Sequence, residues 1–223
     1  MADYAAQRET MVASQLRPNR VTSPDVLRVF SRMPREAFLP APLKPLAYMD
    51  EHLALGAAFP DAQGRYSLSP MTQAWLLQAA RVTKADTALD VGSGCGCSAA
   101  LLASLANRVD ALEECDGLAK FAGEALATQN VANAAIRRGP LTGANLTGGP
   151  YNVIVVNGAV PRPPESLLAL LADNGRLACI MARPEENRLM VFEKAKAGIR
   201  RSIVWDASAP LLTGFSEKAG FIF

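Results

Sequence analysis

The sequence predicts an α/β protein built on a doubly wound, mostly parallel sheet that finishes in antiparallel pairing. Three observations predict it. From Thr87 onward, short apolar runs alternate with helical stretches at the spacing of strand–helix–strand crossovers. A glycine-rich turn, "DVGSGCGCSA" at 90–99, joins the first of those runs to a helical stretch, as at the mouth of a ligand-binding sheet. From Arg188 the runs "RLMVFEKAKAG" and "IRRSIVWDA" follow each other with little helix between, which suits hairpins rather than crossovers.

Each element can be justified in turn. Residues 2–17 and 23–33 carry helical patterns; the second is opened by "TSPD", where Thr22 or Ser23 can cap and Pro24 suits the first turn. The stretch from Pro34 to Pro70 holds six prolines and little periodicity. It is too long for a plain connector, and a loop of that length is functional or clamped over something. A helix over 71–82 leads into the alternating region. There "TALDVG", "RVDALE", "NAAIRRG", "YNVIVVNGA" and "GRLACIMA" read as strands, with "SAALLASLA", "DGLAKFAGEALATQN" and "PESLLALLA" as the helices between them. The final "KAGFIF" reads as one more strand.

The chain has 223 residues, half of them hydrophobic, and a net charge of +2, which suits one large domain. It divides into a helical and proline-rich covering segment, 1–78, and a core, 79–223. No run approaches the roughly 20 apolar residues of a membrane span, and the first residues are studded with charge, so a cytoplasmic protein without membrane partners is expected. The basic excess is scattered, with Arg-Arg pairs only at 137–138 and 200–201, so no nucleic-acid partner is expected. Four cysteines and one histidine support neither a disulfide framework nor a metal centre.

The glycine turn carries the chemistry. No lysine follows Gly96, as a phosphate loop would require, and Gly92, Gly94 and Gly96 are spaced G-x-G-x-G, not G-x-G-x-x-G. What remains is a turn free to adopt positive φ and admit a ligand against its backbone. Glu113 ends the next strand, where a carboxylate can accept both hydroxyls of a ribose. An acid before the turn (Asp90) and a second acid beyond it suit a cationic ligand better than a pyrophosphate. The pattern points to S-adenosylmethionine. Cys97 could be a nucleophile near a helix start, but reads better as small filler, having no activating neighbour in sequence.

Over nearly its whole length the chain resembles the protein-L-isoaspartate O-methyltransferases. The resemblance rests on "MVASQLRP", "RVFSRMPREAFLPAPLKPLAYMDEHLALG" at 28–56, "ALDVGSGCGCSAALLASLA", "DALEE", and "PYNVIVVNGAVPRPPESLLALLADNGRLACIM" at 150–181. It implies a seven-stranded Rossmann-like methyltransferase core under an amino-terminal layer. It implies methylation of isoaspartyl α-carboxylates in damaged proteins, with S-adenosyl-L-methionine as donor. The cofactor neighbours it marks are Asp90, Gly92, Ser93, Gly94, Gly96, Glu113, Gly139 and Asn157. The partner is then a protein or peptide bearing isoaspartyl residues, or a small carboxylate. A same-fold enzyme for another substrate, and a cofactor-binding protein without methyl transfer, stay open as alternatives.

Two departures from the family pattern bear on the substrate. Before the helix at 71 the family reads G-Q-T-I-S-x-P; with Gly64 and Pro70 aligned, Arg65 replaces the glutamine, Tyr66 the threonine, and Leu68 the serine, leaving Ser67 and Ser69 on either side. Ser67, Ser69, Arg65 and Tyr66 are therefore the candidate catalytic residues, with Arg65 able to clamp an acidic substrate. After "AIRRG" the family has an acid, and this chain has Pro140, which offers no side-chain acceptor.

Overall fold

The computed structural model describes residues 3–144, 146–182 and 187–215. Its first elements form the covering layer. Helix α1 (Tyr4–Met11) begins where Asp3 Oδ1 accepts the Ala6 N–H, and its turn widens over Val12–Leu16. Helix α2 (Pro24–Arg32) begins at Ser23, whose Oγ accepts the Val26 N–H, and turns Val26, Leu27, Val29 and Phe30 inward. It stops at the residue before Pro34, where the proline ring disfavours helical backbone. The proline-rich stretch becomes short single turns and one small hairpin, β1 (Leu53–Ala54) antiparallel to β2 (Tyr66–Ser67). Helix α3 (Pro70–Ala80) then starts at Ser69 and ends at Arg81, which adopts a left-handed φ of 48°.

The alternating region folds as its pattern predicts. Strands β3 (Thr87–Val91), β4 (Arg108–Glu113), β5 (Ala134–Arg138), β6 (Tyr151–Val160) and β7 (Leu171–Ala182) pair in parallel. Helices α4 (Cys97–Ala103), α5 (Asp116–Thr128) and α6 (Glu165–Leu168) lie on the connections. Strands β8 (Asn187–Ala195) and β9 (Gly198–Asp206) extend the sheet in antiparallel fashion, giving among the described residues seven strands in the order β5-β4-β3-β6-β7-β8-β9. The central strands are buried on both faces, which is why they read as unbroken apolar runs.

One element differs from expectation. "PESLLALLA" yields only the four-residue helix α6, because Leu171 already pairs with Tyr151 as the start of β7, and the Tyr151 N–H donates to Leu170 O. The strand expected over "KAGFIF" lies outside the described residues. Helix α3 runs unbroken across residue 78, where the two segments were expected to meet, and its Gln78 Oε1 accepts the backbone N–H groups of Thr22 and Ser23. A single apolar cluster draws Met11, Phe30 and Phe38 from the covering layer together with Leu101, Val109 and Val155 from the sheet region. The sheet order reverses at β3, so the carboxyl ends of β3 and β6 form the mouth where a ligand is expected.

Candidate cofactor site

The turn after β3 is shaped by its glycines. Gly92, Gly94 and Gly96 have φ values of 73°, 55° and 90°, a region that side-chain-bearing residues avoid. Gly96 opens helix α4, and a Cβ there would meet the Ala122 Cβ at 3.0 Å, so the turn also needs this position small to pack on α5. Beneath the turn lies Asp90. Its Oδ2 accepts from Ser98 Oγ at 2.6 Å and its Oδ1 from Asn157 Nδ2 at 2.7 Å, which fixes Asn157 in the carboxyl-terminal half of β6. Burial pushes the Asp90 carboxyl up to about 6, against the pull of those two hydrogen bonds and with some repulsion from Glu113.

Glu113 stands at the tip of β4, as the sequence predicts for a ribose acceptor, but its oxygens are already engaged. Arg65 Nη1 donates to Oε1 at 2.6 Å and Nη2 to Oε2 at 2.8 Å, a two-pronged ion pair in which Arg65 is 2% and Glu113 0% exposed. The backbone N–H of Gly94 donates to Oε2 at 2.8 Å, and those of Glu114 and Cys115 to Oε1 at 2.9 and 3.1 Å. Five donors thus meet a group with about four lone-pair positions. Burial, the largest single influence, pushes the Arg65 guanidinium down, but the charge and hydrogen bonds of Glu113, with Cys115 and Glu114 nearby, together outweigh it and hold the guanidinium above the ordinary arginine range.

The remaining candidates divide between the turn and its surroundings. Tyr66, Ser67, Leu68, Gly94 and Asn157 line a cavity of only about 10 Å³ beside the turn. Ser93 Oγ is buried there without a hydrogen-bond partner among the described residues. Ser69 serves a local purpose: its Oγ accepts the Thr72 N–H at 3.3 Å and caps α3, while its own N–H donates to His52 Nδ1 at 3.0 Å. Leu68 is turned into the apolar core. Gly139 donates its N–H to Glu113 O at 3.2 Å, and with Pro140 it borders a separate cleft rather than the small cavity. Burial pushes the Cys97 thiol up, which holds it protonated and fits the filler reading.

Arg65 therefore does not present its guanidinium to an acidic substrate in this arrangement; it spends both prongs on Glu113. Nothing in the sequence pairs the two residues, which stand 48 positions apart. A second residue escaped sequence reasoning altogether. Arg35 is buried and donates through Nε to Ala47 O at 2.9 Å, through Nη2 to Leu68 O at 2.9 Å, and through Nη1 to Gln73 Oε1. It pins the segment around Leu68 against α3. Its setting in "PREAF", among polar and helical residues, gave no sign that it would be interior.

The residues can be tested against a nucleoside sulfonium. The positive-φ turn, the free Ser93 Oγ and the acid at the tip of β4 favour such a ligand. The volume does not: about 10 Å³ holds roughly one water, whereas ligand sites for small molecules measure about 300–1,000 Å³. Leu212 closes the turn from the carboxyl-terminal side; a Cβ on Gly92 would lie 2.9 Å from Leu212 Cδ1 and 3.2 Å from Arg65 Nη2. With Arg65 on Glu113, the space left beside the turn is smaller than such a ligand.

Comparison with known proteins places this geometry. The family model for protein-L-isoaspartate(D-aspartate) O-methyltransferase matches residues 6–206. The chain is 37% identical to protein-L-isoaspartate O-methyltransferase 1 of Rhodopseudomonas palustris (strain HaA2) over 174 residues, 78% of this chain and 69% of that one. It is 32% identical to the protein-L-isoaspartate O-methyltransferase of Koribacter versatilis (strain Ellin345) over 214 residues, 96% and 94% of the two chains. Among solved structures, a protein-L-isoaspartate O-methyltransferase superposes with a TM-score of 0.78 at 21% identity, covering 93% of this chain and 67% of that one. A Plasmodium falciparum chain assigned to the same enzyme class, solved with S-adenosyl-L-homocysteine, gives 0.75 at 21% identity, covering 96% and 100%. These two likenesses concern the fold.

Proposed function

The chain belongs to the protein-L-isoaspartate(D-aspartate) O-methyltransferase family, whose members are S-adenosylmethionine-dependent carboxyl methyltransferases, and we propose that its own acceptor is the isoaspartyl α-carboxylate of a damaged protein segment. The observation that carries this reading is the match of the family over 201 of the chain's positions, 6 through 206, which includes the glycine turn, Glu113 and the proline-rich covering layer.

The chemistry asks little of the protein's acids and bases. A carboxylate acceptor is ionised near neutral pH, so no residue needs to withdraw a proton from it. What the chain must supply is orientation and exclusion of water, which can lower a barrier by about 7–11 kcal/mol when reacting groups are held in line. Ser67 and Tyr66, on the hairpin beside the turn, are the groups we assign to holding the acceptor. Ser69, occupied as a helix cap, is assigned a supporting part only. Among the described residues no helix is long and apolar enough to cross a membrane, and all four cysteines are buried free thiols. The free thiols support a reducing compartment such as the cytoplasm.

The test supplies methyl-labelled donor at saturating concentration with an isoaspartyl peptide and its aspartyl twin. Base-labile label on the isoaspartyl peptide alone is the expected result. Label on neither peptide, or equally on both, would reject this acceptor.

A further inference from the structure

We propose that Arg65 is an intramolecular competitor for the donor's place: its guanidinium occupies the carboxylate that the sugar of a nucleoside would use, and binding of the nucleoside requires the Arg65–Glu113 pair to open. The proposal rests on the methyltransferase reading above and deepens it, by naming the residue that sets how tightly the donor is held.

The pair is built, not incidental. Its two prongs measure 2.6 and 2.8 Å, and both partners are buried. The arm that carries Arg65 is fixed at several points. Leu53 pairs with Ser67 and Ala54 with Tyr66 across the hairpin, and the Leu55 N–H donates to Arg65 O at 2.9 Å. Asp61 Oδ2 accepts the Gly117 N–H at 2.9 Å, and the Phe59 ring meets that of Phe121 edge-on at 5.5 Å, which moors the arm to α5. With its flanks held, Arg65 is aimed inward at the tip of β4, and at 3.9 Å from its Nη1 lies a second carboxylate, Glu114 Oε1.

One further feature of the turn fits a ligand there. Ser93 Oγ sits in the glycine turn, buried and without a partner among the described residues. Buried hydroxyls are ordinarily satisfied, and an exception calls for a reason. A turn that takes a ligand once Arg65 has withdrawn supplies one. Withdrawal also removes one donor from each Glu113 oxygen, and the three backbone N–H groups stay to keep the carboxylate in position. The arrangement is a two-state element: Glu113 faces either a guanidinium or a sugar. The affinity seen for the nucleoside is then the intrinsic affinity reduced by the fraction of molecules with the pair open.

The experiment is calorimetric titration of S-adenosylhomocysteine into the full-length protein and into Arg65→Gln, which restores the residue type the family pattern carries at this position. The expected result is weak binding by the unaltered protein and binding tighter by about tenfold or more in Arg65→Gln. Arg65→Lys keeps a cation but lacks the fork that engages both oxygens, so intermediate affinity is expected; it carries the comparison should Arg65→Gln fail to fold. Equal affinity for the unaltered and altered proteins, weaker binding by the variants, or no binding by any of them would overturn the proposal. Tight binding by Arg65→Gln with no label on the isoaspartyl peptide would instead reject the acceptor and leave the competition standing.

Discussion

Replacing Arg65 with alanine tests whether the pair holds the fold as the distances imply. The substitution leaves Glu113 buried with three backbone N–H donors and no counter-charge. Breaking a buried ion pair by removing one partner destabilises by about 3–5 kcal/mol. The three remaining donors favour the ionised carboxylate, which places the expected loss near the lower end, about 3 kcal/mol. In a chain of this length about 2–4 °C of melting temperature accompanies each kcal/mol, so a fall of about 6–12 °C is expected. Urea unfolding at pH 7.5 should show a lower midpoint at unchanged slope. Replacing both residues with alanine should cost less than the sum of the single losses, by about 0.5–3 kcal/mol. Added salt should change the loss little, because buried pairs are weakly screened. A loss under about 0.5 kcal/mol, within the range of surface substitutions, would show that the pair is open in solution and refute the reasoning.

Three further outcomes follow from the same geometry. The raised Asp90 carboxyl, at about 6, means that the folded state binds a proton more readily than the unfolded one, so its contribution to stability is present at low pH and is lost as pH rises from about 4 to 6. Asp90→Asn, in which Ser98 can reverse its hydroxyl, should remove that slope; a stability difference between the two proteins that stays flat across this range would contradict it. His52 is the only histidine, and burial holds its imidazole below 6.5 despite the Ser208 backbone and the acids Asp50 and Glu51, so its single NMR titration should fall below that value. A titration at or above 6.5 would mean that the imidazole is exposed and free of Ser69. Ser69→Ala should lower stability by about 0.5–2 kcal/mol through the lost cap on α3; unchanged stability with methyl transfer abolished would move Ser69 into the acceptor site.

The sheet was legible in the sequence because its information is local. Strands buried on both faces must be apolar runs, and "TALDV" and "YNVIVV" could be little else between glycine and helical stretches. The glycine turn was equally legible, since three positive-φ positions leave a compositional mark. Helix α6 was overread because residues 169–172 are apolar in either state, and only pairing with Tyr151, unknowable from periodicity, assigns Leu171 to a strand.

The site was half legible. Glu113 could be placed at a strand tip by its spacing from the turn, and Arg65 could be placed at the same mouth by the family pattern. Their union was missed because each was assigned an external partner. A physical signal was nonetheless available: opposite charges brought to one dry crevice seek each other before they seek ligands. Arg35 left no such signal, since its partners are two backbone carbonyls, an amide and the Cys97 thiol, which no sequence pattern announces.

Competition at the tip of β4 is decided by which group Glu113 holds when a nucleoside is bound. A crystal structure of the unaltered protein with saturating S-adenosylhomocysteine would answer this directly. The sugar hydroxyls should lie on Glu113, with the Arg65 guanidinium swung away. A bound nucleoside beside an intact Arg65–Glu113 pair would contradict the account.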